Sequence, residues 1–271
     1  MNDFTAQVAS LDGFGLDLRD LETNFSSNAS RMLSDLALPS GTAGLLASLA
    51  SSFENFRGTL ATSHQQDRTT LSSYSTGLSA ASRQFQGTDD ASAQAISTLS
   101  ASTTNDQWHE TSNGGGVTRF AGLRLPTLPA VEDGQFTVRQ VVDSAIELLT
   151  HFDDPLSRAI GIKPTADYLV PLASDWETLE TLGSRIRQLG INDFVASENL
   201  SSGVRWLQSS WSGDTSESFA SSANTLGQAI STRSFDLDVV AKIVTNGGVR
   251  LERLVYNQAM GWSSGLSQSM R

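Results

Sequence analysis

The sequence predicts an all-α protein in which two long antiparallel helical hairpins pack into an elongated four-helix bundle, with extra short helices. Apolar residues recur at steps of three and four along most of the chain, which is the spacing of one helix face. A stretch rich in Ser, Thr, Gly and Pro, residues 101–135, separates two such regions. A turn signal divides each region into two arms, which is the pattern of a helical hairpin.

The first hairpin begins with a helix over residues 17–36. Its apolar residues fall on one stripe: Leu18, Leu21, Phe25, Met32 and Leu36. Asp17 and Asp20 are suited to capping its start, and the turn at residues 39–41, Pro-Ser-Gly, ends it. We therefore expect this helix to be the shorter arm of the hairpin.

The second arm is predicted to be one long, nearly straight helix. Its stripe consists of two runs: Leu46, Leu49, Phe53, Phe56 and Leu60, then Leu71, Tyr74, Leu78, Ala81 and Phe85. The step of eleven residues between the runs keeps both on the same helix face. Residues 101–135 then form a linker, in which Trp108, Phe120, Leu123 and Leu125 provide side chains able to lie against a helical body.

The second half of the chain returns to helical spacing. A short helix is predicted over residues 138–149, with breaks at Asp154-Pro155 and Lys163-Pro164. A longer helix follows over residues 176–211, with a kink predicted near residues 190–193. Its apolar positions continue to Trp211 at steps of four, three and four.

The last helical stretch, residues 219–260, contains one ambiguous segment. Thr245-Asn246-Gly247-Gly248 is compatible with a β-hairpin turn or with a kinked helix. We favour the helix, because Leu251, Leu254 and Val255 also keep helical steps.

The stretch SSWSGDTSESF, residues 209–219, predicts the elbow of the second hairpin. Trp211 is the last apolar residue of one helix, and Asp214 with Glu217 supplies a capping-box pattern for the next. The reversal then falls on Ser212-Gly213, where glycine permits a positive φ. We expect the indole to cover the end of the hairpin and to keep one face near solvent.

Composition limits the partners and chemistry of this chain. It carries a net charge of −11 and has a pI near 4.6. Since nucleic-acid binding needs clustered Lys and Arg, we expect no nucleic-acid partner. Cysteine is absent, and His64, His109 and His151 lack metal-ligand spacing, so we expect no metal and no cofactor. His64 is expected at a solvated position in mid-helix.

The N-terminus and the hydropathy pattern bear on cellular location. MNDFTAQVASLDGFG has no basic segment followed by an apolar one, and nowhere do about 18 apolar residues run together. We therefore expect a soluble protein, and any export must use a route other than a cleaved signal peptide.

The helix, Trp-Xaa-Gly elbow and helix around residues 211–219 resemble the WXG superfamily of small helical hairpins, which type VII (ESX) secretion systems of actinobacteria and relatives export. The N-terminal hairpin resembles a sister group of ESX-associated secreted proteins, in which an aromatic-Xaa3-acid signal closes the second helix. Here that signal is Phe85-Gln86-Gly87-Thr88-Asp89. The sister group ordinarily has tyrosine where this chain has Phe85.

The two halves lack complementary features. The first hairpin has no Trp-Xaa-Gly, and the second has no clear Tyr-Xaa3-acid, because Met260 follows Tyr256 at that spacing and Trp176 with Glu180 lies on the wrong arm. In the families resembled, hairpins work as pairs, and export uses an elbow from one partner with a tail signal from the other. We therefore hypothesise a fused pair within one chain.

The fused-pair hypothesis assigns three segments and one composite site. Residues 1–100 form the N-terminal hairpin with the FxxxD tail, residues 101–135 the linker, and residues 136–271 the WXG-type hairpin with its preceding short helices. Antiparallel docking brings two pairs of residues together: Phe85 and Asp89 from the tail, and Trp211 and Gly213 from the elbow. The site presents an exposed aromatic edge, a carboxylate and a concavity made by glycine.

The resemblance implies a non-enzymatic type VII substrate, made in the cytoplasm and secreted, or the N-terminal secretion or trafficking domain of an exported toxin whose catalytic region lies beyond Arg271. Implied partners are the FtsK-like secretion ATPase and a secretion chaperone or small WXG partner, with membrane contact after export.

The sequence is also compatible with two alternative functions. A membrane-active or host-binding effector requires an exposed apolar stripe on residues 136–163 or 237–260. A hydrolase is suggested only by the letters of GWSSG, residues 261–265, which match Gly-Xaa-Ser-Xaa-Gly. That motif needs a strand before Ser263 and a histidine after it, and no histidine follows.

Overall fold

The computed structural model describes residues 6–100, 117–120, 122, 128–135 and 137–269, without the side chains of residues 89–100 and 266–269. The α-helices of these residues are α1 Val8–Ser34, α2 Ala50–Ser100, α3 Thr137–Leu149, α4 Asp153–Ile160, α5 Thr178–Gln208 and α6 Asp214–Ser269. Single turns of 3-10 or π helix lie at Gly44–Leu49, Thr150–Phe152, Thr165–Leu169 and Val170–Leu172. The all-α prediction is confirmed.

Helix α1 begins nine residues earlier than the predicted start at Asp17. It includes Gly13 and Gly15, although glycine has low helix propensity. At both positions another segment of the chain comes so close to the helix that a residue without a side chain fits best. A Cβ on Gly13 would lie 1.7 Å from the carbonyl oxygen of Thr118. The carbonyl of Gly15 accepts a hydrogen bond from Ser75 Oγ at 2.7 Å. The apolar stripe of α1 continues through this turn, because Leu11, Phe14 and Leu18 are buried at steps of three and four.

The long second arm is confirmed as helix α2, and the described part of the linker is not helical. Within that linker Phe120 packs against one hydrophobic core and Leu128 is buried in another. Trp108, Leu123 and Leu125 lie outside the described residues.

The predicted short helix is confirmed as α3, and its predicted break comes a few residues before Asp154-Pro155, at the 3-10 turn Thr150–Phe152. Pro155 lies in the first turn of α4, where the missing backbone N–H of proline has no partner to lose. Helix α4 ends at Gly161, which has a φ of +74°. Proline therefore starts a helix here rather than ending one.

Helices α5 and α6 are both continuous through the segments where sequence suggested a kink or a turn. Gly190 lies where a Cβ would be 3.3 Å from Leu237 Cβ, so it permits close packing of α5 on α6. Gly248 does the same against Leu179, at 2.9 Å. The helical interpretation of residues 245–248 is confirmed, and the β-hairpin turn is wrong.

The chain packs as two compact units. The first unit consists of residues 1–28, 63–126 and 192–233, and the second of residues 29–62, 127–191 and 234–271. Both units therefore include parts of α1, α2, α5 and α6, and the predicted segments 1–100 and 136–271 each contribute to both. The compact units follow packing between the two hairpins rather than the boundaries of the sequence segments.

Neighbouring helices of the first unit run antiparallel. Along α1, Gly15 contacts Ser75 and Glu22 pairs with Arg68 at 2.6 Å, so the contacts move backward along α2. The contacts between α1 and α5, and those between α2 and α6, show the same reversal. The buried core of this unit includes Leu11, Phe14, Leu18, Phe25, Leu71, Leu78, Leu200, Val204, Leu207, Trp211 and Ile230.

The second unit has its own buried residues around α3 and the remaining parts of the long helices. They include Leu36, Leu46, Leu60, Val142, Leu149, Leu169, Trp176, Leu182, Ile186, Leu189, Leu237 and Val255. Arg185 connects the described linker to this unit, since its guanidinium donates to the Asp35 carbonyl at 3.0 Å and to Asp133 at 2.9 Å.

In the described part of the chain, none of the helices combines the length and apolar content needed to cross a membrane.

Candidate recognition site at the helix elbow

The elbow between α5 and α6 has the backbone geometry that the sequence predicts. Gly213 has a φ of +105°, which confirms the expected left-handed reversal. Its carbonyl accepts the backbone N–H of Glu217 at 3.0 Å. Because α6 begins at Asp214, Gly213 rather than Asp214 occupies the N-cap position. Ser216 closes the turn by donating its hydroxyl to the Trp211 carbonyl at 2.8 Å.

The N-terminal segment also supports the elbow. Ala6 forms an isolated antiparallel β-bridge with Trp211, and the backbone N–H of Gln7 donates to the Ser210 carbonyl at 2.9 Å. These bonds fix the two residues that precede α1 against the end of α5. A two-residue bridge carries no periodic pattern, so sequence reasoning had no signal for it.

Trp211 is buried, with an exposed fraction of 3 %. The expectation that its indole keeps a solvent-facing edge is therefore wrong. The ring packs 5.8 Å from that of Phe219, on the first turns of α6. Among the described residues, the indole N–H has no hydrogen-bond partner, a burial that costs about 1–3 kcal/mol for an ordinary polar group. Apolar contact rather than hydrogen bonding holds this side chain.

Six aromatic rings lie at and around the elbow, and we call them the elbow cluster: Phe14, Tyr74, Phe120, Trp206, Trp211 and Phe219. Tyr74 and Phe219 meet edge to face at 5.5 Å, and Phe14 meets Phe219 in the same way at 6.4 Å. These separations lie in the range of favourable aromatic pairs. The cluster therefore joins the first hairpin, the linker and the second hairpin at the elbow.

The structure places Phe85 beside this same core. Its side chain is half-buried and packs against the hydrophobic cluster that contains Trp211. Gly213 is two residues from Trp211 in the chain and forms the adjoining turn. Asp89 belongs to α2, but its side chain lies outside the described residues. Phe85 and Trp211 therefore belong to the same hydrophobic core, and a meeting of Phe85 with the elbow and the role of all four residues in recognition stay predictions.

A buried charged network, which sequence reasoning missed, lies in the same unit. His64 has an exposed fraction of 4 %, so the expectation of a solvated position is wrong. Its Nε2 lies 2.9 Å from Oδ1 of Asp193, which is fully buried. The other Asp193 oxygen accepts from Arg233 Nε at 2.7 Å, and Arg233 Nη2 lies 2.6 Å from Asp67. Side chains of α2, α5 and α6 therefore form one chain of polar contacts, in which Arg233 makes ion pairs with Asp193 and Asp67.

Helix α1 makes amide contacts beside this network, at Asn192, the chain neighbour of Asp193. Asn28 donates to the Asn192 side-chain oxygen at 3.1 Å, and Asn192 donates to the Phe25 carbonyl at 3.3 Å. The Phe25 ring lies 5.3 Å from the His64 ring at an angle of 30°. We define the buried polar layer as Asn28, His64, Asp67, Asn192, Asp193 and Arg233. All four long helices contribute to it.

Burial and pairing act in opposite directions within this layer. Burial raises the pKa of the Asp67 carboxyl, and the nearby Arg233 only partly offsets that effect. Burial alone would lower the pKa of Arg233, but attraction to Asp193 and Asp67 outweighs it and raises that pKa. Two carboxyl groups, those of Asp67 and Asp193, share one guanidinium in this layer. The layer is therefore sensitive to the removal of any one partner.

The signal for this layer is present in the sequence as polar residues on apolar stripes. His64 and Asp67 fill the gap between Leu60 and Leu71 at steps of four, three and four. Asp193 and Arg233 interrupt the stripes of α5 and α6 in the same manner. A polar residue at a stripe position on each of three helices indicates a buried layer, whereas each residue alone does not.

The remaining candidate residues do not form a catalytic or metal arrangement in the described part of the chain. Ser263 lies within α6, and its hydroxyl donates to the Ala259 carbonyl at 2.9 Å, so the strand-turn-helix geometry of a nucleophile elbow is not present there. His151 is exposed on a 3-10 turn, and His109 lies outside the described residues. Within the described ranges, no group of three His, Asp or Glu residues is placed to hold a metal ion.

Comparison of the chain with protein-family models, with curated proteins and with solved structures gives no significant match. The resemblance to WXG-type hairpins therefore depends on the residues of the elbow and of the FxxxD tail.

Proposed function

We propose that this protein is a non-enzymatic substrate of a type VII (ESX) secretion system, either acting by itself or serving as the secretion or trafficking domain of an exported toxin. In this proposal it is made in the cytoplasm and secreted, and a composite signal of Phe85, Asp89, Trp211 and Gly213 binds the FtsK-like secretion ATPase. A secretion chaperone or a small WXG protein is a further partner.

One observation carries the proposal. Phe85, near the end of the second helix of the first hairpin, packs against the core that contains Trp211 at the elbow of the second hairpin. The two residues are 126 positions apart in the sequence, and each belongs to the half-signal that the other hairpin lacks. Their shared core supports a single recognition surface built from both hairpins.

The burial of Trp211 changes how such a surface would act. A partner cannot read an indole with an exposed fraction of 3 %, so the tryptophan serves as a positioning residue. It holds the elbow backbone at Gly213 and the aromatic rings around it in place. The parts left for a partner are the half-buried ring of Phe85 and the turn at Gly213, and Asp89 belongs to the proposal through its sequence pattern alone. Recognition would then depend on folding, because an unfolded chain does not bring these groups together.

Export assays in a host with an active type VII system test the proposal. Phe85→Ala and Asp89→Asn should leave intracellular folded protein at the normal level and reduce the secreted fraction. Gln86→Ala is the matched control, since Gln86 is an exposed neighbour on the same helix. If both Phe85→Ala and Asp89→Asn proteins are secreted as well as Gln86→Ala, the composite signal is wrong.

A further inference from the structure

Helix α6 carries an exposed apolar stripe in the second unit. We define the α6 stripe as Phe235, Val239, Ile243 and Leu254, whose exposed fractions are 76 %, 49 %, 65 % and 62 %. The first three residues follow one another at steps of four, and Leu254 returns to the same face after eleven residues. Single exposed apolar residues are ordinary, but an aligned row on one helix face indicates a surface that another molecule covers.

Charged residues mark the two ends of this stripe with opposite signs. Asp236 lies beside its N-terminal end, and Arg250 and Arg253 lie near its C-terminal end. All three are exposed, and within the described part of the chain none of them makes an ion pair. By contrast, Asp238 and Lys242 beside the stripe already pair with each other at 2.5 Å. The unpaired charges therefore remain for a partner.

The order of charges along α6 is self-complementary in one orientation. Phe235 and Leu254 are equally distant from the midpoint between Val244 and Thr245, and so are Asp236 and Arg253. A two-fold axis at this midpoint places Phe235 of one chain opposite Leu254 of the other, and Asp236 opposite Arg253. A parallel pairing would instead place like charges together, which is unfavourable.

We propose that the α6 stripe is the docking surface for the α6 stripe of a second copy of this chain, with the two helices antiparallel. Such an interface is isologous, since the same patch serves both copies, and each charge pair occurs twice. A membrane surface fits less well, because Asp236 lies beside the stripe and the chain carries a net charge of −11. This proposal does not depend on the secretion function.

Charge exchange with rescue tests the pairing. In sedimentation equilibrium the wild-type chain should show a species of twice the 28.9 kDa chain mass as concentration rises. Asp236→Arg and Arg253→Asp should each raise the dissociation constant by at least about tenfold, because like charges then face one another. The doubly exchanged Asp236→Arg/Arg253→Asp chain restores opposite charges across the axis and should return to near wild-type association.

Disulfide trapping tests whether the two α6 helices pair antiparallel. Since the sequence has no cysteine, each single-cysteine variant has one thiol per chain. Asn246→Cys places two thiols about 5 Å apart along the helix axis in the proposed dimer, whereas Asn257→Cys places them about 37 Å apart. With copper phenanthroline as oxidant, Asn246→Cys should form a covalent dimer and Asn257→Cys should not. Both positions are exposed, so neither change disturbs a core.

Three results would overturn the proposal. The first is a wild-type chain that stays monomeric at all concentrations, with or without binding to phospholipid vesicles. The second is a doubly exchanged chain that associates no better than the single variants while circular dichroism shows normal helix content. The third is cross-linking of Asn257→Cys at the rate of Asn246→Cys.

Discussion

Nε2 of His64 and Oδ1 of Asp193 lie 2.9 Å apart inside the first unit, although 129 residues separate them in the sequence. The contact joins α2 of one hairpin to α5 of the other. Because Asp193 also pairs with Arg233 on α6, its carboxylate is the centre of the buried polar layer. This layer crosses the interface between the two hairpins. Substitutions in the layer therefore measure how much contact between the hairpins contributes to the stability of the fold.

Removing the central carboxylate should destabilise the protein strongly. Asp193→Ala leaves Arg233 buried without one of its two carboxylate partners and removes the partner of His64 Nε2, a loss expected to cost about 3–5 kcal/mol of unfolding free energy. Urea denaturation followed by circular dichroism measures it. Glu54→Gln breaks the exposed pair with Arg57 and should change stability by less than about 1 kcal/mol. Equal effects of the two changes would contradict the role of the layer.

Asp67 should give a pH dependence of unusual sign. Burial raises the pKa of Asp67 in the folded protein above its ordinary value of 3.8, so the folded state binds this proton more tightly than the unfolded state. Its contribution to stability therefore falls as pH rises from 3.8 through the folded pKa. The difference in unfolding free energy between wild type and Asp67→Asn should decrease over that window. A difference that increases with pH would show that pairing with Arg233 outweighs burial.

The elbow glycine should resist substitution. Gly213 has a φ of +105°, where a side chain is strained, so Gly213→Ala should lower the free energy of unfolding by about 1–2 kcal/mol. Gly77 lies within α2 with open space around its Cβ position, and Gly77→Ala should be neutral or stabilising by up to about 1 kcal/mol. Matched thermal melts of the two variants measure the contrast, and an unchanged melting temperature for Gly213→Ala would contradict it.

Trp211 should behave as a core residue. Trp211→Ala removes a buried ring from the elbow cluster and should cost about 3–5 kcal/mol, whereas Trp211→Phe keeps an aromatic ring and forfeits no hydrogen bond to a described residue. Export of Trp211→Phe should stay close to wild type if the indole only positions the elbow. Loss of export at normal stability in Trp211→Phe would mean that a partner contacts the indole directly.

Periodicity was sufficient for the all-α class, the long helix α2 and the continuity of α6, because each depends on a repeated apolar spacing. The early start of α1 was missed although Leu11, Phe14 and Leu18 continue its apolar spacing at steps of three and four. The burial of His64 was missed because its partner is 129 residues away. Local apolar spacing therefore predicts individual helices. A buried polar layer can be predicted only by comparing the polar positions on the stripes of several helices.

The proposed meeting of Phe85 with the elbow depends only on the resemblance. The stripe of α2 places Phe85 on an apolar face, but nothing in that stripe says which helix end it meets. The solvent exposure of Trp211 was predicted wrongly, because Ala6, Phe219 and the aromatic rings around them cover the elbow from distant parts of the chain. A motif of three residues does not predict which distant residues will bury its tryptophan.

Binding of the folded chain to the cytoplasmic domain of the proposed partner, an FtsK-like secretion ATPase, tests the central claim most directly. With titration calorimetry on wild type, Phe85→Ala and the control Gln86→Ala, we expect wild type and Gln86→Ala to bind equally and Phe85→Ala to bind at least about tenfold more weakly. Equal affinity of all three, at equal melting temperature, would contradict a recognition surface that includes Phe85 beside the Trp211 elbow.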